Sequence, residues 1–161
     1  MIVIVMGVVG AGKTTVGKLL ASQLGWEFAD ADDFHPQSNV EKIRHGIALT
    51  DEDREPWLDH LKAALVRWIA ERKSVVLACS ALKRAYREKL VLGPQVRLVY
   101  LKGSAALIAD RLRSREGHFA GESILASQLA DLEEPEKAIT VDISDAPEQI
   151  VAEIKRALAM E

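Results

Sequence analysis

The sequence predicts an α/β layer fold, a sheet flanked by helices within one domain. Two observations carry that prediction. Short apolar, β-branched runs alternate with longer stretches of helical periodicity to the end of the 161-residue chain. The run Gly7-Val8-Val9-Gly10-Ala11-Gly12-Lys13-Thr14, followed by Thr15, matches the phosphate-loop pattern G-x-x-x-x-G-K-[ST]. It lies between a strand-like and a helix-like segment, which is the context the pattern needs.

The elements follow in order. Residues 1–6 (MIVIVM) read as a buried parallel strand. Val16, Leu19, Leu20 and Leu24 then recur at helical spacing. Further strands are expected at 26–29, 74–79, 96–101 and 138–143. A helix over 56–72, opening at Pro56, puts Trp57, Leu58, Leu61, Leu65, Trp68 and Ile69 on one face. Those aromatics are assigned to the core rather than to a cofactor box. A last helix from about Pro147 would bury Ile150, Val151, Ile154 and Leu158, with Asp145 and Glu148 at capping-box spacing. Residues 115–121 (REGHFAG) break the pattern, as a solvated loop or, preferred beside a phosphate loop, a mobile lid. No repeat and no linker divides the chain.

Bulk properties narrow the function. Apolar residues make up 48% and charged residues 28%, an ordinary globular balance. The net charge of −3 and the lack of a long basic run set nucleic acid aside as main partner. Cys79 is the single cysteine, which excludes an intrachain disulfide and a cysteine zinc site. No apolar stretch reaches transmembrane length, and residues 1–6 lead into the phosphate loop without a basic leader. A cytoplasmic protein without a membrane partner is expected.

The phosphate loop has a physical reading. Glycines 7, 10 and 12 permit positive φ and close approach of a ligand, and successive N–H groups form an anion nest. The following helix N-terminus adds partial positive charge. Lys13 would reach the β- and γ-phosphates, and the Thr14 hydroxyl would hold Mg²⁺. After the second strand come Asp30-Ala31-Asp32-Asp33. Ligands sit at the carboxyl ends of strands in such sheets, and alternation along an extended segment would aim Asp30 and Asp32 into one crevice. The third strand ends in Cys79-Ser80 with no acid, so Asp30 is the better metal-side carboxylate. Ser80-Ala81-Leu82-Lys83 matches S-x-x-K, but its companion motifs are absent and an acyl-enzyme is set aside. Lys83 and Arg87 read as cations lining the crevice or as a solvated helix start. The polar stretch 35–57 is either a solvated insertion or the pocket for an anionic second substrate, with donors in His35, Lys42 and Arg54.

Several of these pieces, taken together, resemble a known family over nearly the whole chain. They are Asp30-Ala31-Asp32-Asp33-Phe34-His35-Pro36, Asn39 and Lys42, Gly46 with Leu49, and Asp51 with Asp53-Arg54 and Pro56-Trp57-Leu58. Further along stand Cys79-Ser80-Ala81-Leu82-Lys83 with Tyr86-Arg87, Leu101-Lys102-Gly103, Gly117-His118-Phe119, Ser127-Gln128, and Leu132-Glu133 with Pro135. The set resembles the gluconate kinase (gluconokinase) family, relatives of shikimate kinase with the nucleoside-monophosphate-kinase-like fold.

The resemblance implies a P-loop NTPase fold whose five-stranded parallel sheet has order 2-3-1-4-5. It implies a lid at about 115–123 and a substrate-binding insertion at about 34–57. The implied reaction is ATP-dependent phosphorylation of D-gluconate at its 6-hydroxyl, with Mg²⁺, by a homodimer. Lys13, Asp32 and Arg115 would carry catalysis. Gly7, Val8, Val9, Gly10, Ala11, Gly12, Lys13, Thr14, Thr15 and Arg111 would bind ATP, with Thr14 and Asp30 on the metal. Asp32, His35, Lys42, Arg54, Lys83, Arg87, His118 and Gln128 would face gluconate. The alternative is a related kinase with a shikimate- or nucleotide-type acceptor. A regulatory nucleotide-binding module is disfavoured by the presence of Lys13, Thr14, Asp30 and Asp32 together.

Overall fold

A computed structural model describes residues 1–114 and 119–159, and for 119–123 the backbone alone. In chain order the elements are β1 (Ile2–Met6), α1 (Lys13–Leu24), β2 (Glu27–Asp30), a 3₁₀ turn (Ala31–Phe34), α2 (Gln37–Arg44) and α3 (Asp51–Ala70). Then come β3 (Val75–Ala78), α4 (Arg84–Leu90), β4 (Val96–Lys102), α5 (Ala105–Arg113), α6 (Phe119–Asp131), β5 (Ile139–Asp142) and α7 (Pro147–Ala159). The five strands form one sheet of order β2-β3-β1-β4-β5, with every neighbouring pair parallel. This is the order implied by the resemblance.

β1 is the central strand, and its composition follows from that place. Alternate residues serve opposite layers. Ile2, Ile4 and Met6 pack with Trp57, Leu61 and Leu65 of α3. Val3 and Val5 pack with Leu20 of α1 and with Ile150 and Ile154 of α7. A strand buried on both faces has no use for polar residues, hence the unbroken apolar run. The chain leaves β1 where its two sheet neighbours, β3 and β4, belong to later and separate crossovers. The phosphate loop opens there, at the carboxyl edge of the sheet.

The start of α3, the course of residues 37–44 and the cap of α7 differ from the sequence reading. α3 begins at Asp51, with Pro56 inside it. Its start is set by Thr50, whose hydroxyl accepts from Asp53 N–H at 3.1 Å while Asp53 Oδ2 accepts from Thr50 N–H at 2.9 Å. That reciprocal box satisfies two end donors and places the helix start ahead of the proline. Within the stretch expected to be an insertion, α2 forms a separate helix. α7 starts at Pro147, so Asp145 precedes the capping position. Its first turn closes instead on the Ala146 carbonyl, which accepts from Gln149 and Ile150 N–H.

Candidate active site

The phosphate loop has the backbone its glycines allow. Gly10 and Gly12 have φ of 81° and 96°, left-handed values that are strained for other residues. A Cβ on Gly10 would also lie 2.9 Å from Leu112 Cγ. Gly12 caps α1 without a side chain, and the first turn of α1 holds no acidic residue. N–H groups at a helix start of this kind suit an anion. Lys13 Nζ donates to the Val8 carbonyl at 3.1 Å. Val9 N–H donates to Gln128 Oε1 at 2.6 Å, which ties α6 to the loop.

Two clefts meet at the loop. The phosphate cleft, about 310 Å³, is lined by the loop with Thr14, Thr15, Asp30, Asp32 and Cys79. The second, about 350 Å³, is lined by His35, Ile43, Ile47, Arg54, Trp57 and Ile124 among others. Val9, Asp32, Ser80 and Gln128 line both. Asp32 therefore stands at the seam.

Asp30 and Asp32 reach one cleft by a route other than strand alternation. β2 ends at Asp30, and the chain turns into the 3₁₀ turn, with Asp30 Oδ1 accepting from Asp32 N–H at 3.0 Å. The Asp32 side chain is 82% exposed to the cleft. Withdrawal from bulk water and then Asp30 raise its pKa above the ordinary carboxylate value, while Lys13 pulls it down. Because the cleft is open, water screens this balance.

Trp57 and His35 form one wall of the second cleft. The Trp57 indole donates to the Ala31 carbonyl at 2.7 Å, and the His35 ring stacks on it with centroids 4.7 Å apart. Arg54 brings a cation to this cleft. Its Nη1 donates to Tyr86 Oη at 3.0 Å, and that hydroxyl donates to Asp51 Oδ1 at 2.6 Å. Lys83 Nζ donates to the same carboxylate at 2.8 Å. Lys83 and Tyr86 hold the Asp51 carboxyl below its usual range. This chain joins α3 to α4 and fixes where the guanidinium points.

Other sequence candidates have different placements. Lys42 is on Asp53, with Nζ donating to Oδ1 at 2.7 Å, and locks α2 to α3. Arg87 is buried and donates to the carbonyls of Ala81, Leu82 and Glu133 at 2.8, 2.9 and 2.7 Å. It lines neither cleft. Ala81, at φ 44°, sits in the left-handed region, and Arg87 holds that turn, which carries Ser80. Arg111 donates to the Ile143 carbonyl at the end of β5. Arg115 and His118 lie outside the described residues, as does the first part of the expected lid, while Gly121 falls inside α6. Cys79 is fully buried, and burial pushes its thiol up to about 12, which leaves it unreactive at neutral pH.

Residues 9–159 match the shikimate kinase family. The gluconokinase of Gluconobacter oxydans (strain 621H) is 46% identical, over 95% of this chain and 88% of that protein. The gluconokinase of Arabidopsis thaliana is 41% identical, over 98% and 92%. The chain belongs to the gluconokinases of the shikimate kinase family. The crystal structure of a gluconokinase from Sinorhizobium meliloti 1021 agrees with a TM-score of 0.87 at 41% identity, covering 98% of this chain and 91% of that one. As a gluconokinase-family member, the chain is a P-loop kinase.

Sequence reasoning did not single out Ser80 or Trp57 as cleft residues, or Ile43, Ile47 and Ile124 as apolar lining. Ser80 was findable from its position just past β3, since strand ends face the crevice. Trp57 was absorbed into the α3 core, where it also belongs.

Proposed function

We propose that the protein transfers the γ-phosphoryl group of ATP to the 6-hydroxyl of D-gluconate, giving 6-phospho-D-gluconate and ADP. The observation that carries this reading is Asp32 at the seam of two clefts. One cleft has the anion-binding loop. The other has polar groups and the Arg54 cation for a polyhydroxy carboxylate.

The steps follow from the residues. The α1 amides and Lys13 hold the phosphates in line with the acceptor, and charge stabilisation and alignment supply most of the catalysis in such transfers. Asp32 accepts a hydrogen bond from the 6-hydroxyl. As the new P–O bond forms and ADP leaves, the hydroxyl proton passes to Asp32. Arg54 pairs with the gluconate carboxylate, held in place by Tyr86 and Asp51. Lys83 works through Asp51, and Arg87 through the Ser80 turn. Arg111 lies along the adenine. Arg115 and His118 come to the phosphates and gluconate from the lid, whose closure excludes water.

Thr14 and Asp30 offer a hydroxyl and a carboxylate in the phosphate cleft. Such oxygen donors suit Mg²⁺, which keeps waters and takes its other ligands from phosphates. Bound there, it would neutralise charge on the β- and γ-phosphates. The same reading has the protein act as a homodimer in the cytoplasm, without nucleic-acid or membrane partners. No helix among the described residues is long and apolar enough to cross a membrane.

The test is ADP release with Mg-ATP and D-gluconate, shikimate, AMP or no acceptor. Release is expected with D-gluconate only. Turnover with shikimate or AMP in its place would replace the gluconate reading. Asp32→Asn should keep the thermal stabilisation by ATP and lose roughly 10²-fold or more in kcat.

A further inference from the structure

The hydrogen-bonding state of His35 is set by its neighbours. Its side chain is 6% exposed, and its ring lies nearly parallel to Trp57, with 12° between the planes. Asn39, 2% exposed, reaches it from α2. Asn39 Nδ2 is 2.7 Å from the Asp53 carbonyl oxygen and 3.2 Å from His35 Nδ1. A carbonyl only accepts, so the amide nitrogen is the atom that faces it, and the amide orientation is settled. The second hydrogen on that nitrogen points at Nδ1, which must present its lone pair. The ring proton therefore sits on Nε2. A proton on Nδ1 would set N–H against N–H, and burial followed by Arg54 disfavours the charged ring in the same sense.

Nε2–H faces the catalytic seam. It is 4.0 Å from Asp32 Oδ1, too long for a direct hydrogen bond. Both groups line the acceptor cleft. The pair thus presents an acceptor and a donor side by side, spaced for two oxygens about a hydrogen-bond length apart. Adjacent carbons of a polyol carry such oxygens.

We propose that His35 Nε2–H donates to the hydroxyl oxygen on the carbon next to the reacting one, so that Asp32 and His35 together read a vicinal diol. This rests on the gluconate reading and deepens it. The preferred acceptors are primary alcohols with a neighbouring hydroxyl, and a lone primary alcohol is discriminated against. His35 is a specificity-determining residue, and Asn39 is the positioning residue that keeps its proton on the cleft side.

The experiment compares D-gluconate with 5-deoxy-D-gluconate, which lacks that neighbouring hydroxyl. Wild type should favour gluconate in kcat/KM by about 10²-fold, the scale of one buried polar group left unpaired. His35→Phe keeps the stack on Trp57 without a donor. It should lose about as much on gluconate, little on the deoxy acceptor, and nothing in KM for ATP. His35→Gln restores a donor at similar reach and should recover part of the preference. Equal proportional losses on both acceptors, or no loss on gluconate, would overturn the proposal. Failure of wild type to phosphorylate either acceptor would remove the gluconate reading, and this inference with it. ¹⁵N NMR of the wild-type imidazole needs no variant. It should show the Nε2–H tautomer at neutral pH, and an Nδ1–H signal would refute the assignment.

Discussion

Helices α1 and α3 begin in opposite ways. α1 starts from Gly12 in a left-handed conformation, with no side-chain cap and no acid in its first turn. α3 starts from Thr50 with a complete capping box, and Asp51, Glu52 and Asp53 fill its first turn. Both ends carry the same unsatisfied N–H groups and the same partial positive charge. α3 satisfies two of its end donors from within the chain. α1 has neither a side-chain cap nor an acid in its first turn, which on the proposed reading gives up capping stability and keeps a place for phosphate. An uncapped helix start is informative only beside a capped one in the same protein.

The comparison can be broken at α1 first. Thr15→Asp places an acid at the third position of the helix, where α3 carries Asp53. The variant should fold with no loss of Tm, since the acid complements the helix end. Its ATP affinity should fall on the order of 10³-fold, from repulsion of about 4 kcal/mol between charges about 4 Å apart near a protein surface. Isothermal titration and the ATP-induced rise in Tm read both halves. Next, Gly12→Ala should cost about 1–2 kcal/mol of stability through backbone strain. A Cβ there would meet only Val16, at 4.0 Å, so chemical denaturation would read conformation rather than packing.

At α3 the effects are smaller and separate from the nucleotide. Thr50→Ala should lose about 1 kcal/mol, a Tm decrease of about 2–4 °C, with ATP affinity unchanged. Asp53→Asn should show its effect through pH. Lys42 and then Thr50 N–H pull the Asp53 carboxyl down to about 2. A depressed folded-state pKa stabilises above the unfolded carboxylate value and is lost as pH falls through about 2. Wild type and variant should therefore differ in denaturant midpoint at neutral pH and converge near pH 2. A gap that persists at pH 2 would mean that the ionised carboxylate is not what stabilises.

The same contrast explains what could be read in advance. β1, β3 and β4 were legible because burial on both faces leaves apolar runs, α1 because Val16 and Leu20 bury one face at helical spacing, and the phosphate loop because its glycines serve one geometry. α3 was legible along its apolar face but not at its start, where Asp stands in the box position usually held by Glu or Gln and Pro56 offers a competing signal. α2 left no pattern, since its one buried residue is Asn39. A helix anchored by an amide has no hydrophobic period. At the site, residue types suggested cations facing a substrate, but Lys42 and Arg87 are directed to a carboxylate and to three carbonyls inside the protein. Charge can be counted in a sequence. Its partner is a property of the fold.

The central place of β1 has a consequence for the order of events during synthesis. Ile2 pairs with Val75 on one side and with Val96 on the other. The phosphate loop thus precedes both strands that flank its own, and β1 has no neighbours until β3 and β4 have been made. Until then MIVIVM is an exposed, aggregation-prone segment on a nascent chain. Long-range parallel pairing of this kind folds slowly. The nucleotide site, though its loop is made before β3 and β4, is assembled only when the chain has passed Lys102.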